Sequence, residues 1–306
     1  MRIMQFAALA VLLNNVASAQ IPEVGAGRIE RLEAFASQHV PARNIDIWLP
    51  DGYPAQAPYA VLYMHDGQLL FDAAHTWNGL EWRADEVAAD LIKSGRTRPF
   101  IIVGVWNGEP GRHSEYFPQR AFDRLDPEQQ ARMYTLKRGE DPLFARPVDS
   151  DDYLRFLVTE LKPHIDRRYA VDSTPQQTAI MGSSMGGLIS MYALAEYPQV
   201  FGAAACLSTH WAGTVTPDDR PAQEALLAWV ERDFPVPRGQ RLYMDRGDQT
   251  LDAWYPPLQT RVDALMRAKG YGPGDWLSLA FPGTEHSEAS WSARLHVPMQ
   301  FLFPPR

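Results

Sequence analysis

Ile180-Met181-Gly182-Ser183-Ser184-Met185-Gly186-Gly187 is an apolar run that breaks into G-x-S-x-G and continues as a helix-like stretch to Glu196. Few folds accommodate that order. It requires a strand that ends in a sharp, strained turn and runs straight into a helix, with the Ser184 hydroxyl exposed at the corner. Glycines two before and two after the serine leave room where any Cβ would collide with neighbouring backbone. Ser184 is thus a candidate nucleophile, and the pentapeptide gains weight from what else stands around it in the chain.

The rest of the chain supplies a sheet for that corner. From Tyr59 onward, short apolar runs alternate with longer amphipathic stretches. Strands are expected at Ala60 to His65, Phe100 to Trp106, Thr178 to Met181, Gly202 to Leu207, Arg241 to Met244 and Trp276 to Phe281. Helices are expected at Leu80 to Lys93, Asp152 to Arg168, Met185 to Glu196, Ala222 to Asp233, Pro256 to Ala268 and Ser287 to Leu302. Continuous apolar strands alternating with helices indicate an α/β class, with a mostly parallel, doubly wound sheet covered on both faces. Upstream, Arg28 to Phe35 and Arg43 to Leu49 alternate in character and read as an N-terminal antiparallel pair, closed by the turn Asp51-Gly52-Tyr53-Pro54. One domain over residues 20–306 is expected. The stretch from Asn107 to about Ser150, rich in Arg, Glu, Pro and Gln, fits neither pattern. It is an insertion over the carboxyl ends of the strands or a disordered segment, and the cluster Tyr116-Phe117-Pro118 favours a packed lid.

Composition narrows the partners. With 306 residues, 45% hydrophobic and 22% charged, the chain can bury a core that needs no staples. Residues 1–19 read as a secretory signal: Arg2, an apolar run from about Phe6 to Leu13, then Val16-Ala17-Ser18-Ala19 at the cleavage positions. The alternative is a short buried first helix. Export would make the mature protein periplasmic or secreted. No later stretch approaches the roughly 18 apolar residues of a membrane span, so no membrane insertion is expected after cleavage. Removing Arg2 makes the formal net charge of -8 one unit more negative, and an acidic chain without a basic run argues against nucleic acid as a partner. The single cysteine, Cys206, lies in an apolar run and reads as a small buried hydrophobe. No His/Cys/carboxylate cluster has metal-ligand spacing, so neither a metal nor an organic cofactor is expected. Oligomeric state leaves no mark.

A neutral serine hydroxyl needs a base within hydrogen-bond reach and a third group to orient that base. In the architecture that carries such an elbow, the order along the chain is serine, acid, histidine. His286 follows the last expected strand in Pro282-Gly283-Thr284-Glu285-His286 and is the candidate base; His296 falls within the final helix. His210 comes directly after a strand and is expected to line the pocket. The loop after Arg241 to Met244 offers three aspartates. Asp252 is preferred as the acid, Asp248 is second, and Asp245 stands close enough to the strand end to serve the turn. Donors for a developing oxyanion are expected from the backbone N–H groups of Met185 and Gln68. In the loop Met64-His65-Asp66-Gly67-Gln68, Gly67 lets the backbone turn inward, and Asp66 and Gly67 are expected to border the substrate. Arg112 and Glu115 form an R-x-x-E pair that either clamps a polar substrate group or pins the insertion. Trp106, Trp211 and Trp254 follow strand ends and are candidates for an aromatic wall, although core packing explains any one of them equally well.

Four separated stretches carry a family resemblance: Val61 to Asp72, Arg112-His113-Ser114-Glu115-Tyr116-Phe117-Pro118, the elbow, and Gly283-Thr284-Glu285-His286. Together they resemble the esterase D-like family of α/β hydrolases, over roughly Arg28 to Phe303. That family groups S-formylglutathione hydrolases, feruloyl and acetyl esterases, siderophore esterases and mycolyltransferases. The resemblance is strongest toward the siderophore-esterase branch. It implies an α/β-hydrolase fold, with Ser184 and His286 as nucleophile and base, Asp252 as acid, and Gln68 and Met185 at the oxyanion positions. The departure is Gly247-Asp248-Gln249, which puts an extra carboxylate in the acid loop. The expected activity is a serine carboxylic-ester hydrolase acting through an acyl-enzyme on small acyl, feruloyl-like, acetyl-sugar or siderophore esters. An acyltransferase with the same residues is the alternative, ahead of a peptidase or a non-catalytic binding protein.

Overall fold

The computed structural model describes residues 20–305; the stretch 1–19, read above as a leader, lies outside the described residues. Among the described residues, eight strands form one sheet in the order β1-β2-β4-β3-β7-β8-β9-β10. These are β1 (Arg28–Phe35), β2 (Arg43–Leu49), β3 (Ala60–His65), β4 (Phe100–Val105), β7 (Thr178–Ser183), β8 (Ala203–Leu207), β9 (Arg241–Arg246) and β10 (Trp276–Ala280). β1 and β2 are antiparallel and β2 is antiparallel to β4, whereas β4, β3, β7, β8, β9 and β10 run parallel. A two-stranded hairpin, β5 (Lys137–Arg138) and β6 (Asp141–Pro142), lies outside this sheet.

Side-chain alternation sorts the strands between two apolar layers. Ile45, Ile47, Val61 and Tyr63 pack into one layer, while Trp48, Ala60, Leu62 and Met64 pack into the other. Both faces are therefore dry, which is why the parallel strands read as continuous apolar runs. The covering helices are α1 (Ala84–Lys93), α5 (Ser150–Phe156), α6 (Lys162–Arg168), α7 (Met185–Glu196), α8 (Arg220–Arg232), α9 (Tyr255–Ala268), α10 (Glu288–Arg294) and α11 (His296–Leu302). Every residue of α7 from Met185 to Leu194 is buried, as expected for a helix that is apolar all round. The expected helix from Leu80 starts instead at Ala84. Arg83 sits in the left-handed region (φ 52°), and the Trp82 N–H is drawn off to Leu69 O, so the backbone cannot wind earlier.

The stretch after β4 is packed. It contains α2 (Arg112–Tyr116), α3 (Gln119–Phe122), α4 (Pro127–Met133) and the β5–β6 hairpin. Tyr116, Phe117, Phe122, Met133 and Phe144 enter the same apolar layer as α7. This segment stands over the carboxyl ends of β3, β4 and β7, where a doubly wound sheet presents its ligand site.

Candidate active site

Ser184 has φ 57° and ψ −122°, a strained conformation for a residue with a side chain, held between β7 and α7. Backbone on both sides over-determines it: Ser184 N–H donates to Leu207 O at 2.9 Å, while Gly187 N–H and His210 N–H donate to Ser184 O. The two elbow glycines are not equivalent. A Cβ at Gly182 would come within 2.8 Å of the Gly186 backbone, so no other residue fits there. A Cβ at Gly186 would meet Asp66 Oδ2 at an ordinary 3.4 Å, so the expected backbone collision applies to the first glycine alone.

Ser184 and His286 line one cavity of about 850 Å³ together with Asp66, Leu69, Asn107, Arg112, Arg138, His210, Trp254 and Trp291. His286 Nδ1 lies 2.5 Å from Asp252 Oδ1. The other Asp252 oxygen accepts from Ser208 Oγ and from Gly247 N–H, both at 2.6 Å. Burial raises the Asp252 pKa, but the bonds from His286, Ser208 and Gly247 outweigh it and leave the carboxyl below its ordinary value. An ionised Asp252 fixes the proton on His286 Nδ1 and leaves Nε2 as the ring's lone-pair nitrogen.

The loops that carry Asp252 and His286 are stitched together. Asp248 N–H and Gln249 N–H donate to Thr284 O, and His286 N–H donates to Thr250 Oγ1 at 2.9 Å. Asp248, the second-choice acid, accepts from Gly283 N–H at 2.8 Å and is half-buried. It is a loop clasp and does not contact the imidazole. Asp245 is buried against Arg294, with Nη2 to Oδ1 at 3.0 Å, and also accepts from the Tyr243 hydroxyl at 2.9 Å.

Tyr255 joins the serine to a second histidine. Thr214 O lies 2.8 Å from His210 Nε2 and can only accept, so that nitrogen carries the proton. His210 Nδ1 then accepts from the Tyr255 hydroxyl at 2.7 Å, which leaves the phenol oxygen free to accept from Ser184. Burial, with a smaller electrostatic contribution from the nearby His286, depresses the His210 pKa to about 3, so this ring is neutral near neutral pH.

The first loop is built on Asp66, itself in the left-handed region (φ 58°). Arg112 forks onto its carboxylate at 2.6 and 2.7 Å, and Asn107 Nδ2 donates to it at 2.8 Å. A Cβ at Gly67 would meet the Gly104 backbone at 2.6 Å, so glycine is required there by close approach to β4. Gln68 follows, its side chain fixed by Asn107 N–H, and Met185 is the first residue of α7. Neither side chain lines the cavity; what they offer is backbone.

Four expectations need correction. Gly67, expected to border the substrate, is buried against the β4 backbone and does not line the cavity. Glu115 does not pair with Arg112 and does not line the cavity: it is fully buried, forked by Arg43 at 2.6 and 2.8 Å and bonded by Arg146 at 2.6 Å. The insertion is pinned by that ion cluster. Trp106 turns to the neighbouring strand β2, where Nε1 donates to Asp46. Trp211 is buried, with Nε1 on Gln259. Of the three candidate tryptophans, only Trp254 reaches the cavity, and Trp291 and the 80% exposed Trp77 line it without having been anticipated. Sequence reasoning also missed Ser208, Tyr255 and Asn107, which sit at strand or helix ends with no motif around them. No group of His, Cys, Asp and Glu among the described residues could hold a metal, and no helix among them is long and apolar enough to cross a membrane.

The chain is similar to known proteins over most of its length. It is 29% identical over 175 residues to the ferri-bacillibactin esterase BesA of Bacillus subtilis, an alignment covering 55% of this chain and 54% of BesA. The chain spans little more than half the length, or less, of the curated relatives it matches. An IroE-like serine hydrolase from Shewanella oneidensis superposes with a TM-score of 0.65 at 22% identity, covering 90% of this chain and 79% of that one. A ferulic acid esterase superposes with a TM-score of 0.61 at 18% identity, covering 90% and 98%. These structures share the α/β-hydrolase-like fold. Residues 41–296 match the family described as "Putative esterase", and the chain belongs to that family.

Proposed function

We propose that the chain is a carboxylic-ester hydrolase that works through an acyl-enzyme, with Ser184 as nucleophile, His286 as base and Asp252 as the acid that orients it. The observation that carries this reading is the 2.5 Å contact of Asp252 with His286 Nδ1, made beside a strained serine on the wall of the same cavity. His286 Nε2 takes the Ser184 proton as Oγ attacks the ester carbonyl. The N–H groups of Met185 and Gln68 hold the oxyanion, each worth about 3 kcal/mol in the barrier. The tetrahedral adduct collapses, His286 returns the proton to the departing alcohol, and the acyl group stays on Oγ. Water, deprotonated by the same imidazole, then releases the acid and restores the serine. Asp252 holds the ring and stabilises the imidazolium without itself taking the proton.

For the substrate, the apolar side of the cavity (Leu69, Leu251, Trp254 and Trp291) suits an ester with an aromatic or short aliphatic portion. The names of the relatives, a ferri-bacillibactin esterase and a ferulic acid esterase, are those of ester-cleaving proteins and support the same reading. The test is a panel of p-nitrophenyl esters of graded chain length on the wild type and Ser184→Ala. Hydrolysis by the wild type that vanishes in the variant is expected; equal activity in both would exclude the mechanism.

A further inference from the structure

Two guanidinium groups, those of Arg112 and Arg138, line the cavity, and the Asp66 carboxylate there is engaged with Arg112 alone. Arg112 is neutralised by the two-pronged contact with Asp66. Arg138 reaches the same cavity from the β5–β6 hairpin, whose turn passes through Gly139 at φ 63°. Among the described residues its guanidinium has no ion pair and no hydrogen bond, although Glu140 and Asp141 follow it and its backbone pairs with Asp141 in the hairpin. Two other carboxylates border the space. Glu288 accepts from Asn78 Nδ2 at 2.9 Å, and Glu109 acts on Arg112 rather than on Arg138.

Arg138 is exposed at the mouth of the cavity, and partial burial of its guanidinium together with the Arg112 charge lowers its pKa from the usual arginine value. Its charge is also felt by His113 and His210 on the cavity wall. A cation presented at a reaction cavity beside another cation, with no anion of its own, is relieved by one the substrate brings. The planar fork of arginine matches a carboxylate with two parallel bonds.

We propose that Arg138 is a specificity residue that binds a carboxylate on the substrate, making the preferred ester one that carries an anionic group away from the scissile bond. The inference rests on the hydrolase reading above and narrows its substrate class. The hairpin is its vehicle: the insertion delivers the charge without disturbing the elbow or the acid and base loops.

The experiment uses pairs of p-nitrophenyl esters on the full chain. In each pair one acyl chain ends in a carboxylate, from glutarate to suberate, and its neutral partner ends in an isopropyl group of the same shape. The spontaneous rate is subtracted throughout. At one or more lengths the wild type is expected to favour the carboxylate, and Arg138→Ala to lower kcat/KM for that ester by about tenfold, with Arg138→Glu lower still. The neutral partners should stay within about twofold, which also shows that the variants are folded. Raising NaCl from about 50 mM to about 500 mM should erode the wild-type preference, since the contact sits at an open mouth. A wild type without preference at any length, or variants that lose both members of each pair equally, overturns the assignment. If neutral esters are cleaved and Arg138 makes no difference, this inference alone falls. If no ester of either kind is cleaved, the hydrolase reading falls and takes the inference with it.

Discussion

His286 and Trp77 line the same cavity, yet the His286 side chain is 11% exposed and Trp77 is 80% exposed. Around His286, the base and acid loops share four backbone or side-chain bonds through Thr284, Thr250 and Asp248. Behind Asp252, Ser208 takes hydrogen bonds from Trp291 Nε1 and Arg294 Nη2, both at 3.0 Å, and passes one on to the carboxylate. Trp77 has no aromatic partner among the described residues, and Arg138 has no anion. The chemical end of the cavity is held by redundant contacts, so a proton acceptor can be aimed within a few tenths of an ångström. The mouth is free to adapt, and there sequence can vary without disturbing the catalytic residues.

The strongest way to break this comparison is within the acid loop. Asp252→Asn should lower kcat by about 10⁴-fold, because the amide reverses the tautomer that Asp252 imposes on His286. Asp248→Asn, four residues away, should leave kcat within about threefold and stability unchanged, because the amide oxygen can still accept from Gly283 N–H. Similar kinetic losses in both would show that the two loops act as one unit and that the acid cannot be singled out.

The next effect is on stability. His65, His113 and His210 surround the chemical end, and burial holds the pKa of each below the ordinary histidine value, to about 3 for His65 and His210. The sign follows from the proton count. Below about pH 6.5 the unfolded chain binds protons that the folded rings refuse, so stability falls with pH by up to about 1.4 kcal/mol per unit for each ring. Asp252 and Asp66 have lowered pKa values and contribute in the opposite range: their stability is lost only at the acid end, as pH drops through the carboxylate region. Stability from urea unfolding should therefore be lower at pH 5 than at pH 7 by several kcal/mol, and the urea midpoint lower with it. A flat midpoint over that range would show that the rings are not held neutral.

The smallest effect belongs to the mouth. Trp77→Ala should raise KM for aromatic esters by about threefold and leave kcat and Tm unchanged, because an exposed ring contributes to binding and little to folding. A matching fall in Tm would show that Trp77 is packed in solution.

How much of this was legible depended on the range of the interaction. The elbow was readable because strand, strained serine and helix are adjacent in the chain, and the N-terminal pair was found with its observed limits, Arg28–Phe35 and Arg43–Leu49. Asp252 could be preferred from its place before α9, but only the folded loop shows that Asp248 faces Gly283. Glu115 was paired with Arg112 from their spacing of three; its partner Arg43 lies 72 residues upstream, and nothing local points to it. The tryptophans failed for a related reason. A strand end fixes where Trp106 and Trp211 sit, while the direction of each side chain is decided by Asp46 and Gln259 on other elements. Ser208 and Tyr255 carry no motif at all, since their roles exist only through a histidine or a carboxylate brought from elsewhere. Arg138 sits next to Gly139-Glu140, a turn signal that marks the hairpin but not the cavity it reaches.

The central claim is that one hydroxyl, activated by one imidazole, forms the covalent intermediate. Reaction with a fluorophosphonate, followed by peptide mass mapping, tests it most directly. The account expects a single adduct on the peptide containing Ser184, absent in Ser184→Ala and formed at least about a hundredfold more slowly in His286→Ala. An adduct on any other residue, or labelling of Ser184 at an unchanged rate without His286, would contradict it.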